Sequence, residues 1–157
     1  MTSTLDAIDR KILQALQAEG RLSNVELAAR VHLSAPQCLR RVRALEERGV
    51  ITGYRALVPP ERLGYGVRAY VSLNIAAHAF ARVRELEAVL RSFAQVLECH
   101  AVSGDNDYLL KVVASDLKAL STFLTDQLMQ TEGVQDVRSM ICLEEIKPAA
   151  PCPVDGG

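Results

Sequence analysis

The sequence predicts an α+β protein of two domains, with three helices followed by a four-stranded domain. Two helix-start signals in residues 23–37 predict a pair of helices joined by a short turn. The hydrophobic period changes from that of a helix to that of a strand beyond Pro59 and Pro60. After that point the order strand, helix, strand occurs twice, which indicates a compact βαββαβ domain.

Bulk composition limits the class of protein. The 157 residues are 49% hydrophobic and 24% charged, which is typical of a globular protein. No apolar run approaches the ~20 residues that a membrane-spanning helix needs, so we expect a soluble, cytoplasmic protein with no membrane partner. Residues 1–60 hold nine Lys and Arg against six Asp and Glu (net +3), and the remainder holds nine against thirteen (net −4). This asymmetry favours nucleic acid as a partner of the first half.

Three helices are predicted before residue 50. The first has apolar residues at helical spacing and ends at Gly20; these residues are Leu5, Ile8, Ile12, Leu13 and Leu16. Capping boxes, in which a hydroxyl residue is followed three positions later by Glu or Gln, begin at Ser23 and at Ser34. Gly49 supplies a left-handed residue at the end of the last helix. We therefore predict a helix-turn-helix domain of the winged type in residues 1–49.

The helix that begins after Ser34 carries arginines on one face. Its predicted outer face consists of Gln37, Arg40, Arg41, Ala44 and Arg48. Its predicted inner face consists of Ala35, Cys38, Leu39, Val42 and Leu45. Arginine binds the guanine edge or a phosphate, so this distribution suits a recognition helix in a DNA major groove. An ordinary solvated helix face is the alternative, and the capped helix directly before this one favours DNA binding.

The expected contacts to double-stranded DNA divide by role. Base edges and near phosphates are assigned to Gln37, Arg40 and Arg41, and Arg43 and Arg48 are expected nearer the DNA backbone. A hydroxyl at a helix N-terminus, here that of Ser34, also lies where phosphate binds well. The full predicted set is Ser23, Asn24, Ser34, Pro36, Gln37, Arg40, Arg41, Arg43 and Arg48.

A linker and a tail flank the second domain. The β-branched stretch after Gly49 predicts a short strand that Pro59 and Pro60 stop, so residues 50–66 are interpreted as a linker strand and hinge. Residues 67–147 form the predicted second domain. Residues 148–157 are rich in Pro and Gly, and we expect them to be a mobile tail.

The second domain begins with a long strand, in which apolar and polar residues alternate from Val67 to Ile75. A helix and the strand VLECHAVS follow, and then the strand YLLKVVA, a second helix and the last strand, VQDVRSMICLEEI. The predicted inner residues are Phe80, Val83, Leu86, Leu90 and Phe93 in the first helix and Leu117, Leu120, Leu124 and Leu128 in the second. This ferredoxin-like arrangement leaves one sheet face uncovered, and the expected partner for it is a second copy of the chain.

The connection SGDNDY between the two middle strands has a chemistry of its own. Gly104 lets backbone amides face outward, where they can cradle a carboxylate, and Asp105 and Asp107 can attract an ammonium group. The turn is therefore a candidate clamp for a zwitterionic amino acid. A tight connection between antiparallel strands, built from the usual Gly, Asp and Asn, is the alternative.

These segments together resemble the Lrp/AsnC family of bacterial and archaeal transcription regulators. The matching stretches are LDAIDRKILQALQAEGRLSNVELAARVHLS, CLRRVRALEERGVITGY, ECHAVSGDNDYLLKV and VRSMICLEEIK, which follow in order from residue 5 to residue 147. The resemblance is strongest to the leucine-responsive branch. It implies a DNA-binding helix-turn-helix domain and a second domain that dimerises, commonly builds octamers and binds an amino acid between dimers.

The resemblance also implies which residues line the effector pocket, mainly the turn from Ser103 to Tyr108 and the strand from Ser139 to Cys142. The expected effector-binding residues are Ala101, Val102, Ser103, Gly104, Asp105, Asn106, Asp107, Tyr108, Leu117, Ser139, Met140, Ile141 and Cys142. Ala101 and Met140 depart from the leucine-type pattern, so the resemblance does not define leucine as the effector. The string LSAPQC departs from the commoner LSPTPC at the start of the recognition helix.

An enzyme is the alternative reading, because relatives of this fold include haem-precursor decarboxylases with the same two-domain layout. His100 would then be the candidate active group, but no cluster of nucleophile, acid and base is visible at catalytic spacing. A redox or metal role for Cys99, His100 and Cys142 is a lesser alternative, since the four cysteines show no CxxC spacing. We expect no catalytic activity, no metal and no cofactor apart from an amino-acid effector.

Overall fold

The computed structural model of the chain describes residues 5–154, which form two compact units. One unit takes in the residues up to Leu57 together with those from Lys147 onward, and the other is Val58–Ile146. The division between them falls within the segment expected to be a linker. None of the helices in residues 5–154 has the length and apolar content to cross a bilayer.

The helical unit contains α1 (Ala7–Ala18), α2 (Asn24–Val31) and α3 (Ala35–Glu47). Ser23 forms the predicted capping box with Glu26, in which Oγ of Ser23 accepts from Glu26 N (3.3 Å) and Glu26 Oε2 accepts from Ser23 N (2.8 Å). Gly49 ends α3 with φ 68°, and the next amide, that of Val50, donates to Leu45 O as in a Schellman motif. The buried core consists of Ile12, Leu27, Ala28, Val31, Cys38 and Leu45.

The predicted linker strand does not form. Residues 50–58 contain no strand, and a short 3₁₀-helix, Pro60–Leu63, follows them. The four strands described all belong to the second unit, and none of them pairs with residues 50–58. A strand needs such a partner, whatever its β-propensity.

The second unit is the predicted ferredoxin-like domain. Its strands are β1 (Val67–Ile75), β2 (Val96–Ala101), β3 (Tyr108–Ala114) and β4 (Val134–Ile141), in the antiparallel order β2-β3-β1-β4. The central row places Val71 opposite Leu110 on one side and Ser139 on the other. β4 ends at Ile141 and not at the predicted Ile146. Beyond it, Cys142 N still donates to Arg68 O of β1 (2.8 Å), and Glu145 Oε1 accepts from Arg68 Nη1 (2.6 Å), but no further strand pairing forms.

The helices that cover one face of the sheet differ in detail from the prediction. α4 (Val83–Ser92) is preceded by a 3₁₀-helix that leaves Phe80 55% exposed, although Phe80 was expected to be buried. α5 (Leu117–Thr122) continues as a π-helical segment, Phe123–Leu128. A π-helix has a longer repeat than an α-helix, so Phe123 and Leu128 face the core together, whereas Leu124 is half-buried and Leu117 is exposed.

Candidate nucleic-acid interface and effector site

The turn between α2 and α3 is held by specific hydrogen bonds. His32 adopts the left-handed conformation at the end of α2, and Leu33 N donates to Ala28 O (2.9 Å). Nδ2 of Asn24, at the start of α2, donates to Ala35 O in the first turn of α3 (2.8 Å). Asn24 was also predicted to contact DNA, which stays a prediction; its hydrogen bond ties the start of α2 to the first turn of α3.

The first turn of α3 is closed by Ser34 and Gln37. Oε1 of Gln37 accepts hydrogen bonds from Ser34 N (3.3 Å) and from Ser34 Oγ (2.9 Å). Pro36 lies in this first turn, where a helix has no need of its missing N–H. Both Pro36 and Gln37 are exposed, so the turn presents a polar, conformationally restricted end to solvent.

Beyond this turn, α3 displays two arginines opposite its buried side. Cys38 and Leu45 are buried, whereas Arg40 and Arg43 are exposed. At 100° per residue both arginines lie on the half of the helix turned away from the core. An exposed basic face on a capped second helix is the arrangement that a major groove accepts.

Arg41 does not lie on that outer face, contrary to the helical-wheel prediction. Its Nη1 is 2.7 Å from Asp6 Oδ2 and 2.7 Å from Asp9 Oδ1, both at the start of α1. The hydrogen bond to Asp6 raises the pKa of the Arg41 guanidinium above its usual value most strongly, and the hydrogen bond to Asp9 adds to this effect. Arg48 also turns to this site, with Nη1 3.8 Å from Asp9 Oδ2.

Two carboxylates at the start of α1, those of Asp6 and Asp9, therefore hold Arg41, and the sequence prediction did not include them. Asp9 is buried (7% exposed), and Asp6 caps α1 by accepting from Ile8 N and Asp9 N. The backbone N–H of Asp9, followed by the guanidinium of Arg41, lowers the pKa of Asp6. Their spacing at the first turn of α1 was the available signal, but it could not say which arginine they would bind.

The SGDNDY turn is tied to β1. Gly104 has φ 115°, which only glycine adopts without strain. Asp107 N donates to Leu73 O and to Asn74 Oδ1 (both 3.1 Å), and Asp107 Oδ2 accepts from Ile75 N (2.8 Å). The carboxylate of Asp107 thus binds β1 at the point where its register with β4 shifts, between Asn74 and Ile75. Val102 and the residues from Ser103 to Asp105 are exposed, and Asn106 is half-buried.

The remaining residues of the predicted effector set do not surround this turn in one chain. One row of the sheet contains Ala101, Tyr108 and Leu73. Ile141 pairs instead with Ala69, which is four residues from Leu73 toward the start of β1. The two rows are about 13 Å apart at ~3.3 Å per residue. Leu117 lies beyond the Ala69 end as well, because it follows β3 after Ala114. A pocket that uses both groups needs a second copy of the chain.

Within the set, individual residues have distinct surroundings. Tyr108 is buried and its hydroxyl donates to Glu87 Oε1 (3.0 Å); burial, together with this carboxylate, raises its pKa to about 12. Ser139 and Ile141 point to the helix-covered side, whereas Met140 is beside Tyr70 on the uncovered face. Met140 and Tyr70 are 57% and 42% exposed, so this face retains apolar surface.

The two cysteines considered for a metal or redox role lie at opposite edges of the sheet. Cys99 is on edge strand β2, and Cys142 directly follows β4 at the other edge, three strand spacings or roughly 14 Å away. His100 is exposed near Glu98, with Nε2 3.5 Å from Glu98 Oε2. No three His, Cys, Asp or Glu side chains in residues 5–154 converge to hold a metal ion.

Two family models match the chain in the order of its two units. A winged helix-turn-helix DNA-binding model matches residues 5–52, and the Lrp/AsnC ligand-binding domain matches residues 68–151. The chain belongs to the Lrp/AsnC family. The predicted fold class and family are confirmed, with a winged helix-turn-helix domain followed by a ferredoxin-like ligand-binding domain.

Relatives and solved structures agree with this assignment. The leucine-responsive regulatory protein of Rhizobium meliloti is 46% identical over 92% of this chain and 93% of its own length. That of Escherichia coli K12 is 42% identical over 91% and 87%. A transcriptional regulator from Neisseria meningitidis, solved as its L-Met complex, superposes with a TM-score of 0.92 at 42% identity, covering 97% of this chain and 98% of that one. An AsnC-family regulator from Agrobacterium tumefaciens gives 0.89 at 36% identity, covering 96% and 97%. The chain is thus a DNA-binding transcription regulator of this family.

Proposed function

We propose that this regulator binds double-stranded DNA through the exposed face of α3 and alters its DNA binding or assembly when a free amino acid binds its second domain. The observation that carries the first part is the exposure of Gln37, Arg40 and Arg43 around the capped first turns of α3. No comparable group of base-reading side chains lies on α2, whose Asn24 is engaged with α3.

The proposed DNA contacts divide by the position of each side chain on α3. Gln37 and Arg40 are assigned to base edges, and Arg43 and Ser34 to phosphates. Pro36 shapes the first turn between them. Ser23 and Asn24 position the turn before α3, and Arg41 and Arg48 hold α3 against α1, so these four residues support the interface from behind.

Specific control requires more than one chain. A single module of this kind binds non-specific DNA with a dissociation constant of only about 10⁻⁴ to 10⁻⁶ M at physiological salt. A dimer would present two α3 helices roughly 34 Å apart, or at a multiple of that spacing, on a near-palindromic site. The uncovered sheet face with Tyr70 and Met140 supports a homodimer, and further association to an octamer is part of the proposal.

The same assembly supplies the effector site. One copy presents the SGDNDY turn, with its outward backbone at Gly104 and the carboxylate of Asp105. Another presents the β4 end, from Ser139 to Cys142. The Neisseria meningitidis relative was solved with L-Met, so methionine is the first amino acid to test, followed by leucine and other apolar amino acids.

A titration of fluorescent operator DNA tests the proposed interface. Arg40→Ala should weaken operator binding by about 1–3 kcal/mol and relax the sequence preference, because Arg40 is assigned to base edges. Arg43→Ala, at a phosphate contact, should weaken binding to all sequences and reduce the salt slope by about one. The control is Arg91→Ala, which removes the same charge from the exposed part of α4. If both α3 variants bound DNA like the wild type, α3 would not be the recognition helix.

A thermal-shift panel of amino acids tests the effector site. A ligand at 100 times its dissociation constant stabilises the native state by about 2.7 kcal/mol, which a melting curve resolves. The absence of a thermal shift with every common amino acid would contradict the proposal.

We place the regulator in the cytoplasm, because chromosomal DNA and free amino acids are both found there. We assign it no catalytic role. A visible absorbance band on adding haem would instead support the alternative of a decarboxylase with His100 as its active group.

A further inference from the structure

The C-terminal residues lie against the first helix of the helical unit. Nε2 of Gln17 donates to Cys152 O (3.1 Å), and Oε1 of Gln17 accepts from Cys152 N (3.0 Å). Nη1 of Arg10 donates to Val154 O (3.2 Å). Residues 147–154 are part of the same compact unit as α1. Residues 148–154 of the tail predicted to be mobile are therefore held at two points, and residues 155–157 lie outside the described part of the chain.

The chemistry of this contact depends on the prolines. Pro151 and Pro153 flank Cys152, and proline has no N–H to donate. Cys152 is thus the residue in this triplet that offers both a donor and an acceptor, and the side-chain amide of Gln17 matches both. Arg10 and Gln17 are about two helical turns apart and share a side of α1. Since Val154 meets Arg10 and Cys152 meets Gln17, the tail runs antiparallel to α1.

The segment that precedes the contact is short, and its last four residues, 148–151, begin and end with proline. The last sheet hydrogen bond is that from Cys142 N to Arg68 O. From Cys142 to Cys152 the chain spans at most about 33–36 Å. Pro148 and Pro151 favour the extended polyproline conformation, which acts as a semi-rigid spacer. Such a spacer passes on a displacement of its end, whereas a flexible linker would absorb it.

The helix that receives the tail also holds the recognition helix. Asp9 is adjacent to Arg10 in α1, and it binds Arg41 of α3 at 2.7 Å. Asp6, one turn earlier, binds the same guanidinium. A pull or a release at α1 therefore acts on a helix that is ion-paired to α3.

We propose that residues 148–154 are a clip that couples the ligand-binding domain to the recognition helix through α1. The clip connects the end of β4, where the effector is proposed to bind, to Gln17 and Arg10, and α1 connects these to α3 through Asp6, Asp9 and Arg41. The inference rests on the proposed function. The three hydrogen bonds are individually weak, but the clip is intramolecular, so its high effective concentration suffices to close it while leaving it easy to open.

The test compares Gln17→Ala with Gln14→Ala, an exposed glutamine of the same helix, in the full chain; a third variant ends at Lys147. The measurement is the ratio of operator dissociation constants with and without saturating L-methionine. Allosteric ratios are typically about 5- to 150-fold. Gln17→Ala and the shortened chain should bring the ratio at least halfway to one on a logarithmic scale. Gln14→Ala should keep the wild-type ratio, and the thermal shift with methionine should remain in all variants.

Several results would overturn the clip. A full wild-type ratio in both Gln17→Ala and the shortened chain would do so. A ratio lost only together with a change in oligomeric mass by light scattering would also do so, because the tail would then act through assembly. If the wild type did not respond to any amino acid, the proposed effector function would fail, and hydrogen exchange would decide the clip separately. Peptides from α1 should exchange faster in Gln17→Ala than in Gln14→Ala, and equal exchange would refute the contact.

Discussion

Replacing Arg41 with methionine is expected to destabilise the contact between α1 and α3 by about 2 kcal/mol. Methionine retains an unbranched apolar stem but leaves Asp9 without its nearest cation. Breaking a fully buried pair costs about 3–5 kcal/mol, and losing an exposed pair costs about 0–1 kcal/mol. The side chains of Asp9 and Arg41 are 9% and 30% exposed, which places this pair between those limits. Arg48, 3.8 Å from Asp9, compensates for part of the loss.

Hydrogen exchange followed by mass spectrometry is the appropriate assay, because a chain of two units need not unfold in one transition. A loss of 2 kcal/mol corresponds to roughly thirtyfold faster exchange of α1 and α3 amides that open through this contact. Arg43→Met is the matched control, since it removes an exposed arginine from the same helix. The double variant Arg41→Met with Asp9→Asn should recover part of the protection, because no unpaired buried carboxylate remains.

The pH dependence follows from Asp6, whose pKa is lowered by the Asp9 N–H and by Arg41. A lowered pKa means that the stabilisation is present above about pH 4, the ordinary value for aspartate, and is lost as the pH falls through the lower folded-state pKa. The difference in hydrogen-exchange protection between the wild type and Arg41→Met should therefore become smaller as the pH falls through the folded-state pKa of Asp6. Unchanged protection in Arg41→Met, combined with lost DNA binding, would refute this reasoning and restore Arg41 as a direct DNA contact.

Two further predictions concern the ligand-binding unit. Tyr108→Phe removes the hydrogen bond to Glu87 and should cost about 1 kcal/mol in urea unfolding at neutral pH. Since the pKa of Tyr108 is raised to about 12, this difference should persist to about pH 10 and disappear as the pH rises through 12; a constant difference would contradict it. Gly133→Ala should lower the free energy of unfolding more than Gly64→Ala does. Both glycines have positive φ, where an alanine costs roughly 1–2 kcal/mol, but only at Gly133 would the new Cβ also lie 2.8 Å from Ala79 Cβ. Equal losses of stability in thermal unfolding would contradict this prediction, because the contact with Ala79 would then add no cost.

Local signals in the sequence were sufficient to predict the three helices of the first unit, the four strands of the second and the family. The Ser23 capping box and the Gly49 terminus define helix ends because they involve residues only a few positions apart. Strand alternation from Val67 likewise defines β1, since the period of two depends on one buried face. The order of these elements then predicted the ferredoxin-like domain, and the motifs along them predicted the Lrp/AsnC family.

Pairings between distant segments were decided only by the tertiary structure. The sequence shows that Arg41 is basic, but its orientation depends on Asp6 and Asp9 in another helix. The π-helical segment brings both Phe123 and Leu128 into the core, although a period of 3.6 places residues five positions apart on different sides of a helix. The strand order places the two halves of the expected effector site at different ends of one sheet. A helix cap or a strand period depends on neighbouring residues, whereas an ion pair or a pocket depends on where whole elements pack. The sequence therefore determined what this regulator is, and the packing of its elements decided which side chains remain to meet DNA and effector.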